Sequence, residues 1–441
     1  MPRPPADAQP APGFFSDEAC ARALDAADAL AEYRQRFCVP RTPDGREVTY
    51  FCGNSLGLMP RSARDTVNEE LDDWERLAVD AHFLGRHPWY PYHEQFRAAA
   101  ARLVGALPHE VVLMNSLTVN LHLLMVSFYR PTPQRYRILI EDCAFPSDLY
   151  AVQTQLRHHG FDPADGLLVA RPRPGEHTLR TEDFESLLER EGGNIALVLL
   201  GGVNYFTGQV FDMRRIAAAG RAQGCIVGYD LAHAAGNVPL ALHEWEVDFA
   251  AWCTYKYLNC GPGAVAGCFV HERHARNTEL PRFGGWWGND PKTRFRMHLN
   301  ERFEPAPSAD GWQLSNPPIL SMAAMRAALG IFDEVGVARL REKSLRLTAY
   351  LQFLLDDVCA AAPWAGRPKY EVVTPRQPEA RGCQISILVH TETPRRLQED
   401  LQSAGIVTDF RPPNIVRVAP VPLYNTFHEV WRFADVLRAH G

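Results

Sequence analysis

Between residues 110 and 270, short apolar runs alternate with longer amphipathic stretches. Val111–Met114, Arg137–Glu141, Gly166–Ala170, Ile195–Leu200, Cys225–Asp230, Val247–Trp252 and Ala264–Val270 are near-continuous hydrophobic segments of strand length. The segments at about 117–128, 147–159, 181–191 and 212–223 carry apolar residues at helical spacing. Strands that lack polar alternation are buried on both faces. The pattern therefore predicts an α/β domain: a mostly parallel sheet covered by helices. Such sheets bind ligands beyond the carboxyl ends of their strands, so chemistry is expected just after these runs.

The flanks read differently. Ser16 can cap a helix over 16–36, and Thr49–Gly53 is a short strand entering the turn Asn54-Ser55-Leu56-Gly57. Residues 61–79 and 91–104 predict amphipathic helices, and 275–315 is irregular and rich in Trp, Arg and Pro. A helix near 317–357 leads into a smaller α+β unit, with strands at 384–390 and 415–418 and helices at 394–404 and 425–440. The expected organisation is a disordered or loose Pro-rich lead (1–13), an N-terminal segment packing on the small domain (14–60), a large domain (61–320) and a small C-terminal domain (321–441).

The 441 residues carry 46 Lys and Arg against 52 Asp and Glu, a net charge of −6, with 46% hydrophobic and 22% charged residues. That composition supports a large core, and its acidic balance argues against a nucleic-acid partner. No apolar run approaches the ~18 residues of a membrane span, and the start lacks the apolar core of a signal peptide, so a cytoplasmic protein is expected. The ten cysteines show no C-x-x-C spacing and lie mostly in apolar runs, which suits buried thiols better than metal or disulfides.

Two strand ends carry the chemistry. Asp230 closes the run from Cys225, and Lys256 follows the next run within Thr254-Tyr-Lys-Tyr-Leu-Asn259. Alone, Asp230 reads as a helix cap and Lys256 as a loop lysine. Together, 26 residues apart on consecutive strands, they match pyridoxal phosphate: a carboxylate for the pyridine nitrogen and a lysine for the Schiff base. Met114-Asn-Ser-Leu-Thr-Val-Asn120 follows a strand, opens a helix and suits a phosphate dianion, and Phe145 after the next strand can stack on a ring.

These segments resemble the kynureninase family. So do Phe51-Cys-Gly-Asn-Ser-Leu-Gly-Leu58, Ala144-Phe-Pro-Ser-Asp148, Tyr205-Phe-Thr-Gly-Gln209, Asp230-Leu-Ala-His-Ala-Ala-Gly-Asn237, Gly285-Trp-Trp-Gly288, Leu314-Ser-Asn-Pro-Pro318 and Arg417-Val-Ala-Pro-Val-Pro-Leu-Tyr-Asn425. The resemblance runs from about residue 14 to 440. It implies a fold-type-I, aspartate-aminotransferase-like pyridoxal-phosphate enzyme, a homodimer, that splits L-kynurenine or its 3-hydroxy form into an anthranilate and L-alanine in tryptophan degradation. Such anthranilates can serve catabolism, NAD biosynthesis or secondary metabolism.

By the resemblance, Lys256 holds the cofactor and is the base at the substrate Cα. Asp230 meets the pyridine nitrogen with His233 beside it, Phe145 stacks on the ring, and Asp148 is a polar contact. Leu117 and Thr118 cup the phosphate, Tyr255 donates to it, and Trp286 and Asn316 reach the site across a dimer interface. Ser55 and Arg417 hold the substrate end, Arg417 by pairing with the α-carboxylate, for which Arg411 competes. His82 and Asn316 resemble residues of enzymes that prefer 3-hydroxykynurenine. Gly201 departs from the pattern: a serine is expected there, and its hydroxyl near the phosphate is lost, with a backbone N–H or Asn204 able to compensate. Rival readings are a cysteine desulfurase, which needs an exposed loop cysteine in the second half, an aminotransferase, and a regulator built on an inactive enzyme fold.

Overall fold

The structure, a computed structural model, describes residues 13–439 except 362 and 365, so the lead at 1–12 lies outside the described residues. Seven strands form the large sheet: β1 (Val111–Met114), β2 (Arg137–Glu141), β3 (Leu167–Ala170), β4 (Ile195–Gly201), β5 (Ile226–Asp230), β6 (Phe249–Trp252) and β7 (Ala266–Val270). Their order is β1-β7-β6-β5-β4-β2-β3. β2 through β6 pair in parallel, and β7 alone runs against its neighbours β6 and β1. The strands are buried almost throughout, as their unbroken apolar runs require. The expected helices appear as Leu117–Phe128, Pro146–His158, Thr181–Glu191 and Met213–Ala222.

The carboxyl ends of β1, β2, β4, β5 and β6 fall on one edge of this sheet. Asn115, directly after β1, has φ of 50°, and Cys143, just after β2, has φ of 53°. These left-handed residues turn the chain sharply from strand to helix, a conformation that asparagine tolerates at low cost. A second close approach holds the loop after β6. Gly57 N–H donates to Tyr255 O at 2.8 Å, and a Cβ on Gly57 would lie 2.4 Å from the Lys256 carbonyl oxygen. Only glycine lets the N-terminal segment pin the lysine loop in this way.

The small unit has an antiparallel sheet of β8 (Tyr370–Val372), β9 (Ile385–Val389), β10 (Asp409–Arg411) and β11 (Ile415–Val418), ordered β8-β9-β11-β10. Helices Val337–Ala361 and Phe427–Ala439 share its core, with Leu351, Leu354, Ile385, Val416 and Phe433 buried together. The N-terminal segment contributes to both cores: Ala21 and Phe51 to this one, Leu30, Tyr33 and Leu58 to that of the large sheet. Thr49–Tyr50 pairs in parallel with Ile406–Val407.

The structure corrects three sequence expectations. The single helix expected near 317–357 is two, Ile319–Val335 and Val337–Ala361, because Gly336 adopts φ of 79° between them. The buried Met322, Met325 and Phe332 of the first belong to the core of the large sheet. The helix expected over 16–36 is Glu18–Ala26 followed by a 3-10 turn, Ala31–Arg36, and its cap is Asp17, whose carboxylate accepts from Cys20 N–H, not Ser16. β8 and β10 were not expected. Both are three-residue edge strands, too short to carry a periodic signal. Among the described residues no helix is long and apolar enough to cross a membrane.

Candidate active site

A cleft of about 400 Å³ opens where the strand ends meet the small unit. Ser116, Leu117 and Thr118 line one wall, Phe145, Ser147 and Asp148 another, and Asp230, His233, Tyr255 and Lys256 the floor. Asn54, Ser55, Tyr205, Arg411 and Arg417 complete the rim. Ten of the thirteen residues expected from the sequence therefore meet in one place.

The phosphate wall follows from β1. The helix Leu117–Phe128 begins straight after the Asn115 turn and has no side-chain cap, which leaves its first N–H groups for an anion. The Thr118 and Ser147 hydroxyls lie 2.9 Å apart, so one set of phosphate oxygens can take both. On the floor, Lys256 Nζ is 3.0 Å from His233 Nε2 and 5.8 Å from the centre of the Phe145 ring. Burial, with the Lys256 charge adding to it, pushes the His233 imidazole well below its usual range and keeps it neutral. Its Nδ1 is buried without a partner.

Asp230 Oδ1 accepts the Ala232 N–H at 2.7 Å, as a cap would, and Asp230 also lines the cleft. Asp148 lies beside it. Burial, then the charge of Asp230, raises the Asp148 carboxyl well above the ordinary range, and its Oδ1 is buried and unpaired. Burial also pushes Tyr255 up to about 12, so it stands as a phenol able to donate. Glu141, at the end of β2, is pushed up to about 8 by burial.

Arg417 is 1% exposed. One of its amino groups donates to Tyr205 O at 2.8 Å and the other pairs with Asp409. Arg411 also reaches Asp409, at 3.0 Å, so both candidate arginines are in the cleft. Ser55 Oγ donates to the same carboxylate at 2.9 Å.

Three expected residues are elsewhere in the single chain. His82 and Asn316 share a second cleft of about 380 Å³ with Glu70, Trp74 and Trp89. His82 Nδ1 lies 2.9 Å from Val79 O. Trp286 is 39% exposed, with its ring 4.7 Å from that of the buried Trp287. The sequence reading passed over Ser147, Asn54, Tyr205, Asp409 and Glu141. Ser147 stood between the singled-out Phe145 and Asp148. Asp409 and Arg411, two apart on a strand, share a face, but that strand was not recognised.

Comparison with known proteins gives the site its context. Residues 340–437 match the model of the kynureninase C-terminal domain. The chain is 56% identical to the kynureninase of Koribacter versatilis over 425 residues, covering 96% of this chain and 98% of that protein. It is 55% identical to the kynureninase of Myxococcus xanthus over 431 residues, covering 98% and 99%. The chain belongs to the kynureninase family. Among solved structures, an apo cysteine desulfurase from Thermococcus onnurineus superposes with a TM-score of 0.72 at 18% identity, over 93% of this chain and 98% of that one. That likeness establishes the shared fold-type-I architecture and no more. As for a desulfurase-like cysteine, Cys359 is only partly exposed and Cys383 is buried.

Within the kynureninase family frame, Gly201 lies at the end of β4 and is not among the residues lining the cleft. It pairs with Asp230 in register at the end of β4, and its N–H faces both Glu141 carboxylate oxygens at 3.2 Å. A Cβ there would come within 2.9 Å of Glu141 Oε1. Asn204 is likewise not among the cleft-lining residues, and its amide nitrogen faces Cys143 O at 3.3 Å. What Gly201 changes is the packing around Glu141.

Proposed function

We propose that the cleft holds pyridoxal phosphate and cleaves the Cβ–Cγ bond of L-kynurenine or 3-hydroxy-L-kynurenine with water, releasing an anthranilate and L-alanine. The observation that carries this reading is the meeting of Lys256, Asp230, the Thr118–Ser147 wall and Arg417 in one cleft. The residues fit the cofactor. The uncapped helix start and paired hydroxyls suit its phosphate, Phe145 suits its ring, and Asp230 and the unpaired Asp148 Oδ1 suit its pyridine nitrogen. When bound, the cofactor draws electrons from the substrate Cα and so weakens the bond to be cleaved.

The protein's own groups do the rest. Arg417 binds the substrate α-carboxylate and orients Cα toward Lys256, whose amine takes the Cα proton. Neutral His233 accepts a hydrogen bond from that amine and holds it in place. The Tyr255 phenol donates to the phosphate and can return a proton. The buried Asp230 keeps the pyridine nitrogen protonated. The purified protein should take up pyridoxal phosphate and be labelled at Lys256 by borohydride; a folded chain that takes none contradicts the reading.

Asp230→Ala should separate the two jobs of that residue. Loss of the turn contact costs about 1 kcal/mol of stability. Loss of the counter-charge should also weaken cofactor binding at least tenfold, measured by titration of absorbance. A variant that is only less stable would make Asp230 a cap and nothing more.

The active form is proposed to be a cytoplasmic homodimer. Phe83, Tyr90, Phe295 and Trp286 form a chain of neighbouring rings, 5.9, 5.3 and 6.5 Å apart, with Phe83, Phe295 and Trp286 exposed. An apolar surface of this kind is one that proteins cover. By the family resemblance, a second copy packed there is proposed to bring the His82–Asn316 cleft to the partner subunit's active site. With that arrangement 3-hydroxykynurenine should be preferred in kcat/KM by about ten- to hundredfold, since the unhydroxylated ring leaves polar groups unpaired. His82→Trp with Asn316→Thr should shrink or reverse the preference. Equal efficiency of wild type on both substrates would remove the 3-hydroxy assignment. We place the boundary between the two units between Leu340 and Leu347, within the helix Val337–Ala361, where core membership changes.

A further inference from the structure

The carboxylate subsite contains an acid that the sequence did not reveal. Asp409 on β10 stands directly opposite Arg417 on β11. Its Oδ2 accepts from Ser55 Oγ at 2.9 Å and from Arg411 at 3.0 Å, and it pairs with Arg417. All three partners line the Lys256 cleft. Against the opposing effect of burial, the Arg417 and Arg411 charges hold the Asp409 carboxyl below its ordinary range, so it is an anion. Two guanidinium groups and one fixed carboxylate leave this corner with a single net positive charge. The Nε atoms of Arg411 and Arg417 are both buried without partners.

We infer that Asp409 is a specificity-determining residue, which trims the arginine pair to one net positive charge and so limits the advantage that a dianion would hold over a monoanionic carboxylate at this subsite. This rests on the reading of Arg417 as the α-carboxylate site. Without Asp409, two adjacent cations would face the cleft and would attract a doubly charged ligand more than a singly charged one, because Coulomb attraction scales with ligand charge. With it, the net charge facing the cleft is halved, so inorganic sulfate or a dicarboxylic acid gains about half as much from its second charge. The cross-strand position also fixes the acid in place, since its backbone is held in the sheet beside Arg417.

The test is competitive inhibition of the cofactor-loaded enzyme by acetate and by sulfate at constant ionic strength. The ratio of the two inhibition constants in wild type is the reference. Asp409→Asn should lower the inhibition constant of sulfate about tenfold relative to that of acetate, and Asp409→Glu, which keeps the charge, should stay near the wild-type ratio. An unchanged ratio in loaded Asp409→Asn overturns the inference. If that variant does not load cofactor, Arg411→Gln decides. It removes the surplus cation and should weaken acetate about tenfold; unchanged acetate inhibition overturns the inference. Arg417→Lys separates the two levels. If it leaves both inhibitors unaffected, the carboxylate reading itself fails. If it weakens acetate while Asp409→Asn leaves the ratio alone, only the role of Asp409 fails.

Discussion

Lys256→Ala is expected to fold and to lose turnover by about 10⁴-fold, the upper range for removal of a positioned base. The amine sits on the cleft floor, 3.0 Å from His233 Nε2, and it is the group there placed to remove the Cα proton. Among the described residues it is also the only lysine lining the cleft, so covalent retention of the cofactor goes with it. The structural loss is small. Nζ lies 5.8 Å from the Phe145 centroid, a contact worth about 0.5–1 kcal/mol. Melting should therefore fall by only about 2–4 °C, and borohydride should no longer fix the cofactor to the chain. Appreciable turnover in a folded, cofactor-loaded Lys256→Ala protein would remove the assignment.

Arg417→Lys is expected to raise KM about 10- to 100-fold with a smaller effect on kcat. A buried charge-assisted hydrogen bond contributes roughly 1.5–3 kcal/mol, and lysine replaces a planar fork with a single point of charge. The guanidinium reaches Tyr205 O and Asp409 at once and still keeps its Nε free of partners. An ammonium cannot make that set. Steady-state kinetics decide the matter: an unchanged KM would move the α-carboxylate to Arg411.

The strand ends were legible because unbroken apolar runs define buried strands and the residues that follow them must lie at the edge of the sheet. Asp230, Lys256, Thr118, Phe145 and Asp148 all stand within seven residues of such an end. Strand direction leaves no trace in hydrophobicity, so β7 gave no sign that it runs against its neighbours. Asp409 was invisible for a different reason. Its edge strand is three residues long, and the feature that makes it matter, its register with Arg417, exists only once the sheet has formed. Ser16 and Asp17 are both competent caps, and their order alone could not choose between them. His82, Trp286 and Asn316 lie outside the strand-helix repeat, where pattern gives no place in the fold. The family resemblance supplied their roles, and the single chain leaves them apart from Lys256.

The most direct test of the proposed activity is product analysis. The cofactor-loaded protein is incubated with L-kynurenine and with 3-hydroxy-L-kynurenine, and the anthranilate and alanine formed are quantified together. Cleavage between Cβ and Cγ requires one alanine for every anthranilate, with the cofactor returned unchanged. A folded, loaded enzyme that makes neither product, or that converts its cofactor to the amino form while the carbon skeleton stays whole, would contradict the reaction and make this chain an aminotransferase-like member of its fold.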